Sequence, residues 1–525
     1  MRKSRFKVLA LLLSMVFLTA CSSGTGSSQG GSSNAADSNI TVAVSADFTT
    51  MDPQNTNDNL SYSVQKTIYQ GLLGFDKNMK VIGVLADSWK VNDTATQITF
   101  KLRKGISFSD GTPFNAEAVK ANLDRVTAPD SGLIRASLFN VIDNTKVIDD
   151  STVEVNLKQP FGAIANTFAH PAGLMISPAA IEKYGKEVSR HPVGTGPYIF
   201  KEWVSGDHLT VTKNDKYWDK SNITQADSIT FKPTPEDGTR IAMLQSGEAD
   251  FIYPVPANQF KSLSAGGKYD VTAGDSIYEQ YVSMNTNVKP FNDVKVRQAI
   301  NYAIDKQAFI NVVFFGQGEV ADAPLAPSVQ YYAKQGSYAF DLAKAKQLMT
   351  EAGYPNGFST TIWSNNTSQS QQATEFVQQQ LAKINIKVKV EQMESGTLSD
   401  RLWGAKTPAD AEVQMYYGGW SPSTGDADWG LRPLLGGTDS FPPNSYNTAY
   451  YNDDVVNAQL KAGLASADDS VRAEAYDKAQ AEIWKTAPWV FLTVPKNTYA
   501  SQKSLQGVYL SPDGLLNVGD LSFGK

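Results

Sequence analysis

Cysteine is nearly absent. The 525-residue chain has one, Cys21, which excludes an intrachain disulfide and any zinc site built from thiolates. Histidine is almost as scarce, with only His170, His191 and His208, and no H-E-x-x-H pair occurs. A basic excess is also missing. The 47 Lys and Arg are outnumbered by 53 Asp and Glu, for a net charge of −6, so the electrostatic footprint of a nucleic-acid binder is absent. The apolar run Val8–Leu18, broken only by Ser14, is too short to span a bilayer, which takes about 20 residues. Catalytic signatures are wanting as well. Gly274-Asp275-Ser276-Ile277-Tyr278 lacks the closing glycine of a hydrolase nucleophile elbow. Gly267-Lys268-Tyr269 lacks the Ser or Thr that closes a phosphate-binding loop, and Gly194-Thr195-Gly196 runs into Pro197 before completing a dinucleotide fingerprint. No spacing of carboxylates promotes a glycosidase pair.

The N-terminus carries an address. Arg2, Lys3, Arg5 and Lys7 precede the apolar run, the order of a secretory signal. Leu18-Thr19-Ala20-Cys21 resembles a bacterial lipobox, which predicts a signal peptide over 1–20 and lipidation of Cys21. Cleavage would remove the apolar segment, and two or more acyl chains would replace it as a firm anchor. Residues 21–39 continue as a polar Gly/Ser-rich tether with no apolar side chain larger than alanine after Cys21, reaching roughly 20–25 Å.

The body alternates strand and helix patterns. Ile40-Val42-Val44, Ile98-Phe100-Leu102 and Val153-Val155-Leu157 have the two-residue period of half-buried strands. Asn115 caps a helix with Val119, Leu123 and Val126 on one face. Asp293, Asp341 and Thr367 open further helices, Ile386-Val388-Val390 and Val413-Met415 read as strands, and Val471–Trp484 reads as a late helix. There is no strict βαβ rhythm, so the fold class is mixed α/β rather than a plain doubly wound sheet.

Four segments in order resemble one family. They are Val193-Gly194-Thr195-Gly196-Pro197-Tyr198 with Tyr217-Trp218; Thr239-Arg240 with Met243–Asp250; Lys295–Ile304; and Glu351–Gly357. Together they are similar to the family 5 extracellular solute-binding proteins that feed ABC peptide importers. Phe48–Pro53 and Trp420–Trp429 resemble the glutathione-binding members in particular, with weaker support from Lys183–Lys186, Pro488–Leu492 and Pro512-Asp513-Gly514.

The resemblance implies the class II periplasmic-binding-protein fold, two lobes joined by a two-strand hinge with an inserted third subdomain. Lobe I would be discontinuous over 40–84, 195–285 and 496–525, the insertion would be 85–194, and lobe II 286–495. The hinges would follow Tyr281–Asn285 and lie near Val494-Pro495. It implies a monomeric, non-enzymatic receptor without cofactor or metal, anchored outside the bacterial cell membrane. That receptor would deliver glutathione or a short peptide to two permease subunits and take no nucleic acid. A receptor for another small solute, such as a metal chelate or haem, is the alternative within the class. A secreted hydrolase is the rival outside it.

The loop Tyr416–Arg432 offers Tyr417, Trp420, Ser421, Asp426, Asp428 and Arg432 to a zwitterionic ligand. In peptide-binding members an aspartate three residues after the tryptophan pairs with the peptide ammonium. Ser423 stands there in this chain, which passes the ammonium to Asp426 or Asp428. Arg432 suits a carboxylate because its planar fork bonds both oxygens. By the same resemblance Thr49, Thr50, Trp363 and Asn365 lie on the cleft and Tyr281 at the hinge. Arg240 and Arg297 are expected to form structural ion pairs.

Overall fold

The computed structural model describes residues 38–221, 225–518 and 522–523. The expected signal peptide, Cys21 and nearly all of the tether lie outside the described residues.

The strand Asn39–Val44 is sandwiched on both faces, with Ile40, Val42 and Val44 in one apolar cluster and Ala43 in another. Burial on both sides fits its central place in a seven-stranded sheet. The order is Tyr269–Gly274, Asn497–Gln502, Phe251–Tyr253, Asn39–Val44, Ser228–Pro233, His208–Lys213 and Tyr198–Val204. Asn39–Val44 runs parallel to both of its neighbours. Beside this sheet lies the helix Asn59–Ile68, capped by Asp58, whose carboxylate accepts from the Leu60 and Ser61 amides. Its C-terminal end explains the Gly194-Thr195-Gly196 motif. A Cβ on Gly194 would fall 2.2 Å from the Ile68 carbonyl oxygen, and one on Gly196 2.5 Å from that of Thr67. The Gly196 amide donates to the Ile68 carbonyl at 2.8 Å. These contacts are with backbone and cannot rotate away. Gly194→Ala is therefore expected to lower stability by about 1–3 kcal/mol, the usual cost of overpacking, and thermal melts check it.

A four-stranded antiparallel sheet follows, in the order Ala86–Val91, Gln97–Leu102, Thr152–Leu157, Ile142–Asp149. The helix Ala116–Thr127 covers it with Val119, Leu123 and Val126, and Asn115 caps that helix through the Ala118 amide.

The second large sheet has six strands: Gly318–Val320, Trp489–Pro495, Glu279–Met284, Met415–Trp420, Ser359–Asn365 and Lys387–Met393. Helices Val294–Ala303, Lys306–Val313 and Ser368–Ala382 share one core cluster with it, and Ala427–Leu435, Asp454–Leu464 and Asp469–Thr486 share another. The chain passes between the two large sheets twice, over 275–278 and at Lys496. Strand Glu279–Met284 pairs along its length with Met415–Trp420 and on its other side with Trp489–Pro495. The first crossing thus comes before Tyr281–Asn285, whereas the sequence reading puts it after that segment, and Glu279–Met284 joins the second sheet rather than the first because it pairs with Met415–Trp420 and Trp489–Pro495. Lys496 ties the two crossings together, its Nζ 2.9 Å from Asp275 Oδ1 and 2.5 Å from Glu319 Oε1.

The two motif arginines are structural, but among the described residues only Arg240 forms an ion pair. Arg240 meets Asp237 and donates to the carbonyls of Thr234, Pro235 and Pro254. Arg297 donates to the carbonyls of Phe291 and Thr486, at 2.7 Å from Nη1 and 2.7 Å from Nη2 respectively. Its partners are the unused carbonyls before one helix and at the end of another.

Candidate binding cleft

The strand Met415–Trp420 has one edge fully paired and one mostly open. It matches Glu279–Met284 residue for residue, yet meets Ser359–Asn365 only at Met415 and Tyr416. Among the described residues no strand pairs the open edge of Tyr417–Trp420. Gly418, Gly419, Trp420 and Ser421 there are half-buried. Both glycines are closely approached by neighbouring rings. A Cβ on Gly418 would lie 2.4 Å from the Tyr416 ring, and one on Gly419 2.4 Å from the Tyr278 hydroxyl. An unpaired edge can bond an extended peptide main chain as an added strand.

An aromatic wall stands beside that edge. The Trp420 ring centroid lies 5.1 Å from that of Tyr446 and 6.0 Å from that of Trp429, and Trp403 lies 5.9 Å beyond Tyr446. Trp420 is held in place by its indole N–H, which donates to the Trp429 carbonyl at 2.8 Å. Tyr446 is 41% exposed. Trp403 and Tyr446 were not foreseen from the sequence. They come from separate segments and meet only through the fold.

The two loop acids already have cationic partners. Asp426 is 0% exposed and caps the helix Ala427–Leu435 through the Asp428 amide at 2.8 Å. Its Oδ1 also meets Arg472 Nη2 at 2.9 Å. Burial raises the Asp426 pKa, and Arg472 opposes that rise. Asp428 is buried one turn from Arg432 and receives both arms of its fork, Nε and Nη2, each at 2.7 Å. A ligand ammonium would reach either carboxylate as a further partner of an existing ion pair.

The remaining expected contacts divide. Thr50 Oγ1 accepts from the Asp52 amide at 3.0 Å, a local turn, while Thr49 Oγ1 sits 3.0 Å from Thr56 Oγ1. Asn365 is half-buried and accepts from Thr367 Oγ1 at 2.9 Å, where the next helix begins. Tyr281, Trp363 and Tyr417 belong to the core. Tyr281 stacks on Trp489 with centroids 4.0 Å apart, Arg401 covers Trp363 at 4.1 Å, and Tyr417 packs edge-on to Phe309.

The 421–426 loop is gripped from two sides. Asn166 Nδ2 donates to the Thr424 carbonyl and to Gln330 Oε1, each at 3.1 Å. A Cβ on Gly425 would lie 3.1 Å from Met79 Cε and 3.5 Å from Phe75 Cε1. A paired strand floor, an open edge, an aromatic wall and this bracing together make a cleft suited to a small polar ligand with a main chain.

Residues 80–442 match the model of bacterial extracellular solute-binding proteins, family 5 (middle). The chain is 47% identical over 480 residues to the glutathione-binding protein GsiB of Pectobacterium atrosepticum, covering 91% of this chain and 93% of that one. Among solved structures it is similar to HbpA2 from Haemophilus parasuis, with TM-score 0.82, 26% identity, and coverage of 93% of this chain and 100% of the other. A dipeptide-binding protein from Pseudoalteromonas sp. SM9913 in complex with Met-Leu superposes with TM-score 0.75 and 25% identity, covering 93% and 100% of the two chains.

Proposed function

The chain belongs to family 5 of the bacterial extracellular solute-binding proteins, and from that premise we propose that it captures glutathione or a short peptide for an ABC importer. Its fold is the two-lobed class II periplasmic-binding-protein fold, and it is a binding protein rather than an enzyme. In this reading the seven-stranded sheet centres lobe I, the four-stranded sheet centres the inserted subdomain, and the six-stranded sheet centres lobe II. The crossings at 275–278 and Lys496 are the hinge. The observation that carries the reading is the open edge of Tyr417–Trp420, without side chains at Gly418 and Gly419 and flanked by Trp420 and Tyr446. Main-chain bonding there serves any peptide backbone, and relatives named for glutathione narrow the class. Thr49, Thr50, Asn365 and Ser421 complete the polar rim. Lipid on Cys21 holds the receptor outside the membrane, and closed lobes meet two permease subunits.

Native mass spectrometry of the purified protein, followed by calorimetry with glutathione and a dipeptide, tests the ligand. Binding of at least one supports the reading, and binding of neither overturns it. Small-angle scattering tests the hinge, since saturating ligand is expected to reduce the radius of gyration. Asn166→Ala removes a brace between the inserted subdomain and the 421–426 loop. It is expected to lower affinity by about tenfold, the worth of one good hydrogen bond, while the fold persists. Mass spectrometry of the mature N-terminus is expected to find acyl chains on Cys21, and their absence would remove the anchor.

A further inference from the structure

A cavity of about 370 Å³ lies where the inserted subdomain meets the helix Ala427–Leu435. The Asp428–Arg432 pair lines it, and so does Lys158, whose Nζ donates to the Asn140 carbonyl at 2.8 Å. Asp428 is buried while the Arg432 side chain is 38% exposed, so the pair presents its cationic end outward. Arg432 spends Nε and Nη2 on Asp428, which leaves Nη1. Thr424 lines the same cavity. It is 4% exposed, and its Oγ1 is a buried hydroxyl without a hydrogen-bond partner. Buried polar groups are almost always paired, so this hydroxyl lacks something the cavity holds in use. Phe161 and Trp429 supply apolar surface.

Two cations and one carboxylate in one cavity match a group that brings a carboxylate and an ammonium together. An ordinary peptide N-terminus brings only the ammonium. The γ-glutamyl end of glutathione brings both, on one carbon. We propose that this cavity seats the α-amino acid head of a γ-glutamyl peptide. The ligand carboxylate meets Arg432 Nη1 and Lys158, and the ammonium meets Asp428 and Thr424 Oγ1. Trp429 joins the two parts of the ligand's path, because it lines the cavity and its carbonyl holds the Trp420 indole beside the open strand edge. The inference rests on the glutathione reading and deepens it, since it explains a chain with Ser423 where an aspartate would serve a simple ammonium.

The test is calorimetry of the full-length mature protein with glutathione and with its α-linked isomer Glu-Cys-Gly, which has the same composition but no amino acid head. Wild type is expected to favour glutathione by at least tenfold. Thr424→Val, nearly isosteric, and Arg432→Gln are each expected to weaken glutathione about tenfold and to leave the α-linked isomer within twofold. Thermal melts confirm folding, and Thr424→Val keeps the test alive if Arg432→Gln unfolds. Wild-type binding of glutathione that both folded variants retain overturns this site alone. Equal losses for both isomers overturn it too, because the cavity then does not read the head group. Failure of wild type to bind glutathione overturns the ligand reading and this site with it.

Discussion

Arg472→Ala is expected to destabilise the protein by about 3–5 kcal/mol, the cost of leaving a buried charge without its partner. The Arg472 side chain is 3% exposed and Asp426 0%, so water screens neither. Arg472 also donates to the Gly463 carbonyl and to the Tyr331 hydroxyl, and its guanidinium lies 4.8 Å from the Tyr331 ring centroid. Removing it strips Asp426 of the interaction that opposes the rise of its pKa on burial. The carboxyl then takes up a proton or forces water inward, and the cap of helix Ala427–Leu435 weakens. Urea denaturation is the measurement, with a fall in midpoint at constant slope as the expected result. Adding Asp426→Asn to Arg472→Ala should recover part of the loss, since no charge then remains to be compensated. A loss below about 1 kcal/mol would mean that the pair behaves as an exposed one.

Glu279→Gln is expected to act in the other direction, stabilising the protein at pH 8 relative to pH 4.5 by about 1.4 kcal/mol for each pH unit over which only the native chain keeps the Glu279 proton. Glu279 is buried at the start of the strand that leaves the hinge, and its Oε1 has no hydrogen-bond partner. Its neighbours Ile277, Pro324, Leu325 and Leu434 are apolar. Burial, and then the like charge of Asp322, raises its pKa well above the ordinary range of a glutamate. The sign follows from proton binding. Below the unfolded pKa both states hold the proton and Glu279 is neutral to stability. Above it the unfolded chain releases a proton that the native chain keeps, so each pH unit costs about 1.4 kcal/mol until the native pKa is passed. The advantage of Gln should therefore grow from pH 4.5 upward and vanish below it. Melting temperatures of both proteins across pH 4–8 measure this, and a pH-independent difference would show that Glu279 stays ionised in the fold.

Local features were legible in the sequence because their causes are local. Asn115, Asp341 and Thr367 cap the helices they were expected to cap. The alternation of Ile40, Val42 and Val44 marks a strand because every second side chain must find the same core. The Asp428–Arg432 pair is equally local, four residues apart on one helix face, but the sequence reading gave both residues to a ligand instead. What failed to show depends on distant segments. The open edge of Tyr417–Trp420 exists because Ser359–Asn365 diverges after two paired residues, and nothing in either segment announces that. Asp426 finds its cation at Arg472, and Arg297 finds carbonyls at Thr486. Aromatic residues near a motif were equally ambiguous. Tyr281, Trp363 and Tyr417 are as suited to a core as to a ligand, and packing sends all three inward while Trp403 and Tyr446 stand at the cleft.

The second crossing between the large sheets is a single residue, Lys496, placed directly after Pro495. A residue offers two soft torsions, and the proline ring removes one of its own. A connection this short works as an axle rather than a leash, because it has no slack to let one half wander over the other. Rotation about it also strains the ion pairs of Lys496 to Asp275 and Glu319, which bear on both sides of the pivot. If this connection is the proposed hinge, the surface offered to a permease would have few intermediate outlines, and the permease could read occupancy as a yes or a no.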